Sequence, residues 1–133
     1  MAESSRGLLD TPVLIDHDLV DPALLPDASA IAAVSLAELA AGPHATSDEQ
    51  ERARRQDRLQ WAAATWDALP FEAEAARVYG RLFAATRAPG RSSRTRVADL
   101  FIAATAAAHG LPLYTRNLSD FAGIEYIITV IAV

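Results

Sequence analysis

Five oxygen-bearing side chains stand where metal-dependent chemistry is expected. Asp10 follows a short apolar stretch, Glu38 comes soon after a second one, Asp99 begins an apolar helix, and Asn117 and Asp120 follow a third stretch. In open parallel α/β sheets, the functional crevice lies outside the carboxyl ends of the strands. Carboxylates that converge there repel one another and partly protonate unless a divalent cation neutralises them. Oxygen ligands of this kind select a hard ion, Mg²⁺ or Mn²⁺.

Each of these side chains also has a structural explanation when it is taken singly. Asp10 and Asp99 could each cap a helix by accepting hydrogen bonds from free backbone N–H groups. Ser35 and Glu38 have the spacing of a capping box, and Asn117 suits a position with positive φ. The joint pattern nevertheless favours the metal site, because capping alone does not explain why several acids fall near the same edge.

The basic residues narrow the possible chemistry. All twelve are arginine, and lysine is absent, which excludes Schiff-base catalysis and any phosphate site built on a Walker lysine. The net charge of −5 argues against a general polyanion binder. The arginines cluster at 52–58 and 87–96. Taken as residues alone, the arginines near the acids fit a solvated loop or ion pairs with those acids.

The elements that must position these residues follow from hydrophobic patterning. Short apolar stretches predict strands at 8–10, 30–34, 113–115 and 127–133, and 69–71 predicts a brief extended piece. Helical spacing predicts helices after Asp10 and over 35–42, 46–66, 71–87 and 99–109, with a turn at 116–121 in which Asp120 could be a turn acid. Strands that alternate with helices indicate a three-layer α/β/α sandwich around a mostly parallel sheet.

Length and composition suit one compact unit. The 133 residues predict a single domain over 1–133, with residues 1–6 as a flexible tail. The sequence has no signal-peptide pattern and no apolar run of about 18 residues, so a cytoplasmic protein without a membrane segment is expected. The absence of cysteine excludes disulfides and thiolate metal sites.

Four segments together resemble the successive motifs of a known family, the PIN-domain ribonucleases. These segments are Leu8-Leu-Asp-Thr11 with Val13-Leu-Ile15, Ser35-Leu-Ala-Glu38-Leu39, Asp99-Leu-Phe-Ile-Ala-Ala-Thr-Ala106, and Leu113-Tyr-Thr-Arg-Asn117 followed by Asp120-Phe121. Within that family they look most like VapC, the toxin of VapBC toxin–antitoxin pairs. The resemblance extends over about residues 7–133 and implies a PIN-like fold.

The resemblance implies Mg²⁺-dependent hydrolysis of RNA phosphodiester bonds, leaving a 5′-phosphate and a 3′-hydroxyl. Asp10, Glu38 and Asp99 match the family's acidic positions and would hold the metal. Glu38 would bind a second ion or act as a base toward the attacking water, and Asn117 would bind a metal-bound water. Asp120 is a further possible ligand.

On this reading, the arginines that lie near the acids in sequence would bind the substrate phosphates. They are Arg94, Arg96 and Arg116. The resemblance also implies a VapB-like antitoxin and a homodimer as partners. Because a cluster of carboxylates attracts a guanidinium, we further expect a basic antitoxin residue to enter the acidic pocket, while an amphipathic antitoxin helix lies between the first helix and the 46–66 helix.

Two residues depart from the family pattern and keep a second reading open. Asn117 stands where aspartate is frequent, and Pro12 stands where a hydrogen-bonding Ser or Asn is usual. A catalytically weak binding module controlled by an antitoxin is therefore the alternative function. A phosphoacceptor domain or a haloacid-dehalogenase-like phosphatase also has an aspartate after a strand, but both normally need a lysine, which this chain lacks.

Overall fold

Four parallel strands form the centre of the computed structural model, which describes residues 4–87 and 97–133. The strands are β1 (Arg6–Leu9), β2 (Ala28–Ala30), β3 (Leu113–Thr115) and β4 (Val130–Ala132). Their order across the sheet is β2-β1-β3-β4, and every neighbouring pair is parallel. Leu8 lies opposite both Ala30 and Leu113 in the register, which puts β1 near the middle of the sheet.

Within the described residues, five α-helices cover the two faces of this sheet. They are α1 (Thr11–Ile15), α2 (Ala33–Ala41), α3 (Glu49–Thr65), α4 (Ala73–Thr86) and α5 (Val97–Ala108). Short 3₁₀ helices occur at His17–Leu19, Pro22–Leu24, Gly42–Ala45 and Leu118–Phe121. None of the helices in the described part of the chain is both long enough and apolar enough to cross a bilayer.

Two hydrophobic cores lie on opposite faces of the sheet. Leu8 and Leu113 point into the core that α4 and α5 cover. Their neighbours Leu9 and Tyr114 point into the other core, which α1, α2 and α3 cover. This alternation is the period of two expected along a strand. The predicted three-layer α/β/α sandwich with a parallel sheet is therefore confirmed.

Two of the predicted strands were placed wrongly. The second is β2 at Ala28–Ala30 and not 30–34, because the chain is already helical from Ala33. Residues 31 and 32 instead pair with Leu69, which confirms an extended segment there. The last strand begins only at Val130, because the N–H groups of residues 127 and 128 bond back to Ile124 in a turn.

The predicted flexible tail over 1–6 was also too long. The Ser5 N–H donates to the Asp27 carboxylate at 2.9 Å, and the Ser5 hydroxyl accepts from the Asp27 N–H at 2.8 Å. Arg6 then begins β1 opposite Ala28. Residues 1–3 lie outside the described part of the chain.

Candidate active site

A cavity of about 340 Å³ lies between α1, α2, α3 and α5, on the side of the sheet where β1 and β3 end. Its lining combines acids, arginines and apolar groups: Thr11, Pro12, Ile15, Glu38, Leu39, Gly42, Glu51, Arg55, Arg58 and Asp99. We call this space the acidic cavity. The structure thus brings Glu38 and Asp99, predicted from motifs 61 positions apart in sequence, to one place.

Asp10 lies behind this lining and is only 1% exposed. It is the last residue before α1, and its Oδ1 accepts a hydrogen bond from the Thr11 N–H at 3.0 Å, so it does cap the helix. Its Oδ2 accepts from the Thr115 hydroxyl at 2.9 Å, across 105 positions of sequence. Both carboxylate oxygens are therefore held, and each keeps a lone pair for a further partner.

The surroundings of Asp10 raise its pKa from 3.8 to about 6. Burial is the largest cause, because desolvation penalises the ionised form. The negative charges of Asp99 and Glu38 act in the same direction, while the bonds from Thr115 and the Thr11 N–H oppose the shift. Asp10 therefore feels the charges of both other predicted acids.

Glu38 is positioned by hydroxyl groups. The Thr11 hydroxyl lies 2.7 Å from Glu38 Oε1 and 2.9 Å from Ser35 Oγ. A hydroxyl carries one proton and a carboxylate can only accept, so Thr11 donates to Glu38 and Ser35 is left to donate to Thr11. The capping-box reading of Ser35 is wrong, because α2 begins at Ala33 and no side chain caps it.

Asp99 lies in the first turn of α5, two residues after Val97. It is therefore inside the helix, and the interpretation of Asp99 as the N-cap residue is wrong. A carboxylate in a first turn is still favoured by the helix dipole. Asp99 is half-buried and faces the acidic cavity together with Glu38.

The other predicted site residues are spread more widely. Asn117 is exposed, and its N–H donates to the Thr115 hydroxyl at 3.0 Å; its φ of −124° excludes the positive-φ explanation. Asp120 lies in the 3₁₀ turn at Leu118–Phe121. Arg116 faces Asp16 at 3.8 Å, and so pairs with an acid outside the predicted cluster. Arg94 and Arg96 lie outside the described residues.

The donor set suits a hard divalent ion in kind, because Glu38 and Asp99 line one cavity, Asp10 feels both of their charges, and each offers oxygen ligands. Binding would also relieve the repulsion that acts on Asp10. Within residues 4–87 and 97–133, however, no three His, Asp or Glu side chains are grouped closely enough to hold one ion as they stand. An ion held by all three acids would therefore require a closer grouping of their side chains.

Sequence reasoning missed two groups of residues around the cavity. The first is the set of hydroxyls that hold the acids: Thr11, Ser35 and Thr115. The second is Arg55 and Arg58, which line the cavity from α3. With Glu51 they are spaced i, i+4 and i+7, a pattern that puts three side chains on one helix face and was visible in the sequence.

Ion pairs along α3 organise that wall. The Glu51 carboxylate accepts from Arg54 at 2.7 Å and from Arg55 at 3.3 Å. Both bonds lower the pKa of Glu51, and the bond from Arg54 has the larger effect. Arg55 also donates to the Gly42 carbonyl at 2.9 Å, which ties α3 to the end of α2.

Comparison with known proteins agrees with this geometry. The PIN domain family model matches residues 8–124. Ribonuclease VapC5 of Mycobacterium tuberculosis is 39% identical over 124 residues, which cover 91% of this chain and 89% of that protein. VapC ribonuclease Y4jK of Sinorhizobium fredii is 36% identical over 131 residues, which cover 95% of this chain and 86% of that protein.

A solved structure is similar over nearly the whole chain. The crystal structure of VapBC-5 from Mycobacterium tuberculosis, a member of the VapBC family of toxin–antitoxin systems, matches with a TM-score of 0.85 and 38% identity. The match covers 97% of this chain and 99% of that one. The chain belongs to the PIN domain family and, within it, to the VapC ribonucleases.

Proposed function

We propose that the protein is a metal-dependent endoribonuclease, the toxin of a toxin–antitoxin pair, which hydrolyses RNA phosphodiester bonds in the cytoplasm. The strongest support is the acidic cavity, where Glu38 and Asp99 face the same space and Asp10 lies behind them at the end of β1. Family membership supports the reaction, and we assign the reaction to these acids.

Asp10, Asp99 and Glu38 would hold Mg²⁺, or Mn²⁺ in its place. When bound, such an ion lowers the pKa of water and offsets charge on the phosphate oxygens. The Thr115 hydroxyl and the Thr11 N–H keep Asp10 in one orientation. Thr11 holds one oxygen of Glu38 and leaves the other for an attacking water or a second ion.

Groups at the end of β3 would complete the site. Asn117 offers an amide oxygen to a water on the ion, and Asp120 is a further candidate ligand one turn later. Arg116, with Arg94 and Arg96 before α5, would bind the substrate phosphates. The Thr115 hydroxyl accepts from the Asn117 N–H while it donates to Asp10, so one residue links both parts of the site.

The test compares Asp99→Asn with the parent protein on structured RNAs, with Mg²⁺ and with EDTA. We expect cleavage by the parent with Mg²⁺ only, and a loss of about a thousandfold in the variant, since a metal ion supplies several kcal/mol to the transition state. The melting temperature should stay the same or rise, because one like charge is removed near Asp10. A variant that unfolds would show that Asp99 is structural.

The weak binding module remains a second candidate, because no group of three acids in the described ranges is close enough for one ion. Asn117 and Pro12, which add neither charge nor a side-chain hydroxyl, point the same way. This candidate predicts that the purified parent binds its antitoxin but shows no Mg²⁺-dependent cleavage at any RNA tested.

We propose a VapB-like antitoxin as the partner, with two contacts. A basic antitoxin residue would enter the acidic cavity and contact Asp10, Glu38 or Asp99. An amphipathic antitoxin helix would lie over a second cavity, of about 360 Å³, between α1 and α3. It is lined by Leu14, Ile15, His17, Asp18, Arg54, Asp57, Arg58 and Trp61, and we call it the α1–α3 groove.

The antitoxin contact in the acidic cavity is tested by titrating Mg²⁺ against the preformed complex and following RNA cleavage. Competition for the carboxylates predicts that Mg²⁺ at high concentration relieves inhibition. If inhibition is indifferent to Mg²⁺, and alanine at each basic residue of the antitoxin tail still leaves cleavage suppressed, coverage of the groove alone is the mechanism.

We also propose a homodimer. Large apolar side chains remain exposed on the described surface, among them Phe83 on α4 at 41% and Val97 at the start of α5 at 57%. Exposed apolar patches are typical of interfaces. Sedimentation at micromolar concentration should show a dimer, and a stable monomer there would contradict the proposal.

A further inference from the structure

Three of the four arginines on α3 are committed to structural bonds. Arg52 donates to the carbonyls of Pro43 at 3.1 Å and Thr46 at 2.8 Å. Arg54 pairs with Glu51 at 2.7 Å. Arg55 is shared between Glu51 and the Gly42 carbonyl. These guanidinium groups hold the helix and its own acid in place.

Arg58 is different. Across residues 4–87 and 97–133, it makes no hydrogen bond or ion pair with any other described residue, although it is half-buried. Its guanidinium is therefore available to an anion that enters from outside the chain. Asp57, its neighbour along the helix, lines the α1–α3 groove but is not within ion-pairing distance of Arg58.

Arg58 also lies at the boundary between the two cavities. It lines the acidic cavity together with Glu38 and Asp99, and it also lines the α1–α3 groove. Ile15 is the other residue that both spaces share. A chain that passes from one cavity to the other therefore crosses the boundary at which Arg58 stands.

An RNA strand that enters the acidic cavity meets an electrostatic obstacle. Glu38 and Asp99 attract a cation but repel the phosphates on either side of the one to be cleaved. A guanidinium at the rim offsets this repulsion, and its planar fork binds phosphate oxygens bidentately. Arg58 is the cation on α3 that can do so without breaking an existing bond.

We propose that Arg58 binds the RNA phosphate next to the one that is cleaved, and so directs the strand from the acidic cavity into the α1–α3 groove. The inference rests on the proposed ribonuclease function and adds a substrate-binding residue outside the arginines near α5 and β3. The antitoxin would then block cleavage in part by covering the path of the substrate.

The first experiment measures RNA binding as a function of salt in the Asp99→Asn background, without Mg²⁺ and in EDTA, so that the RNA stays intact. Arg58→Gln is compared with Arg77→Gln, which removes the same charge from an exposed Glu74–Arg77 pair on α4 that lines neither cavity. We expect Arg58→Gln to weaken binding about tenfold or more at low salt. The slope of log K against log salt should fall by about 0.7, the value for one phosphate on a single strand.

Arg77→Gln should leave both the affinity and the slope unchanged. Arg58→Lys keeps the positive charge but loses the planar guanidinium, so it should retain the salt slope and bind RNA less tightly. If Arg58→Gln does not fold, this loss of affinity in Arg58→Lys is the test. In the active protein, Arg58→Gln should raise KM far more than it lowers kcat.

Equal slopes for Arg58→Gln and Arg77→Gln would overturn the inference. Weaker antitoxin binding by Arg58→Gln with an unchanged RNA slope would also overturn it, because Arg58 would then serve the protein partner. Both results leave the ribonuclease proposal intact as long as Asp99→Asn abolishes Mg²⁺-dependent cleavage. If the parent shows no such cleavage, the ribonuclease proposal itself fails.

Discussion

The two walls of the acidic cavity are built by different kinds of contact. At the strand ends, hydrogen bonds join residues far apart in the chain: Thr115 to Asp10 across 105 positions, and Thr11 to Glu38 across 27. On α3, the bonds of Glu51 reach only three and four residues along one helix. The strand-end wall therefore depends on the folded sheet, whereas the ion pairs of α3 form within a single element.

This difference separates stability from substrate binding. Buried polar groups of the strand-end wall lose their partners when one member is changed, and an unsatisfied buried group costs more than an exposed one. Partly exposed pairs on a helix contribute little to stability. Substitutions at the strand ends should therefore change both folding and activity, and those on α3 should change mainly how RNA binds.

The largest expected effect concerns the ionisation of Asp10 in metal-free protein. Its pKa is about 6 in the fold, against 3.8 as the ordinary value. Well below pH 3.8 the group is protonated in both the folded and unfolded states, so there is no penalty. Between pH 3.8 and 6 the unfolded chain gives up this proton while the folded protein still holds it, so stability falls as pH rises and levels off above 6. The resulting loss of stability is about 3 kcal/mol.

Asp10→Asn isolates this effect from the other carboxylates. The free energy of unfolding of each protein is measured in EDTA from about pH 3 to about pH 7.5, a range that extends beyond both pKa values. As pH rises over this range, the free energy of unfolding of the parent should fall by about 3 kcal/mol relative to that of Asp10→Asn. Any effect of the Asn amide on stability that does not depend on pH leaves this change unaltered. A stability difference that is independent of pH would show that burial does not raise the pKa of Asp10.

Much of the fold could be predicted from the sequence, but the short strands could not. Helices α3 and α4 lie where long periodic patterns put them, because many residues contribute to each pattern. The strands β2 and β4 have three residues each, and their ends depend on contacts that the local sequence does not show. Leu69 pairs beside β2, and the turn at Ile124 delays β4.

The same distinction applies to the site. The meeting of Glu38 and Asp99 at one cavity could be predicted, because the rule for strand ends needs only the order of strands and helices. The bond from Thr115 to Asp10 could not, because a single hydroxyl has no periodic pattern and its partner lies 105 positions away. The spacing of Glu51, Arg55 and Arg58 on one face of α3 was visible in the sequence. The sequence did not show that this face lines the acidic cavity, because that depends on how the helices pack.

A smaller effect is expected at Thr115, which tests whether the strand-end wall acts as one unit. Thr115→Val keeps the shape and removes the hydroxyl that donates to Asp10 and accepts from the Asn117 N–H. We expect a loss of about 1–3 kcal/mol in the free energy of unfolding, the cost of unsatisfied buried groups. Chemical denaturation measures this loss.

The variant should also lower kcat, because Asp10 is no longer held. Thr115→Ser keeps the hydroxyl and is the matched control, which should retain most of the activity. If Thr115→Val cleaves RNA as well as the parent does, orientation of Asp10 through this bond is unimportant.

The smallest effect is expected on the α3 wall, at Glu51. Glu51→Gln removes the carboxylate that Arg54 and Arg55 share, and it makes the acidic cavity less negative. Because the pairs are local and partly exposed, the melting temperature should be almost unchanged. RNA should bind more tightly, but KM should fall by no more than about fivefold, the limit set by weak surface pairs.

Arg77 and Glu74 form a similar i, i+3 pair on α4 away from both cavities, so Glu74→Gln should leave KM unchanged. If Glu51→Gln instead destabilises the protein as much as Thr115→Val does, the two walls do not differ in the way their contacts indicate.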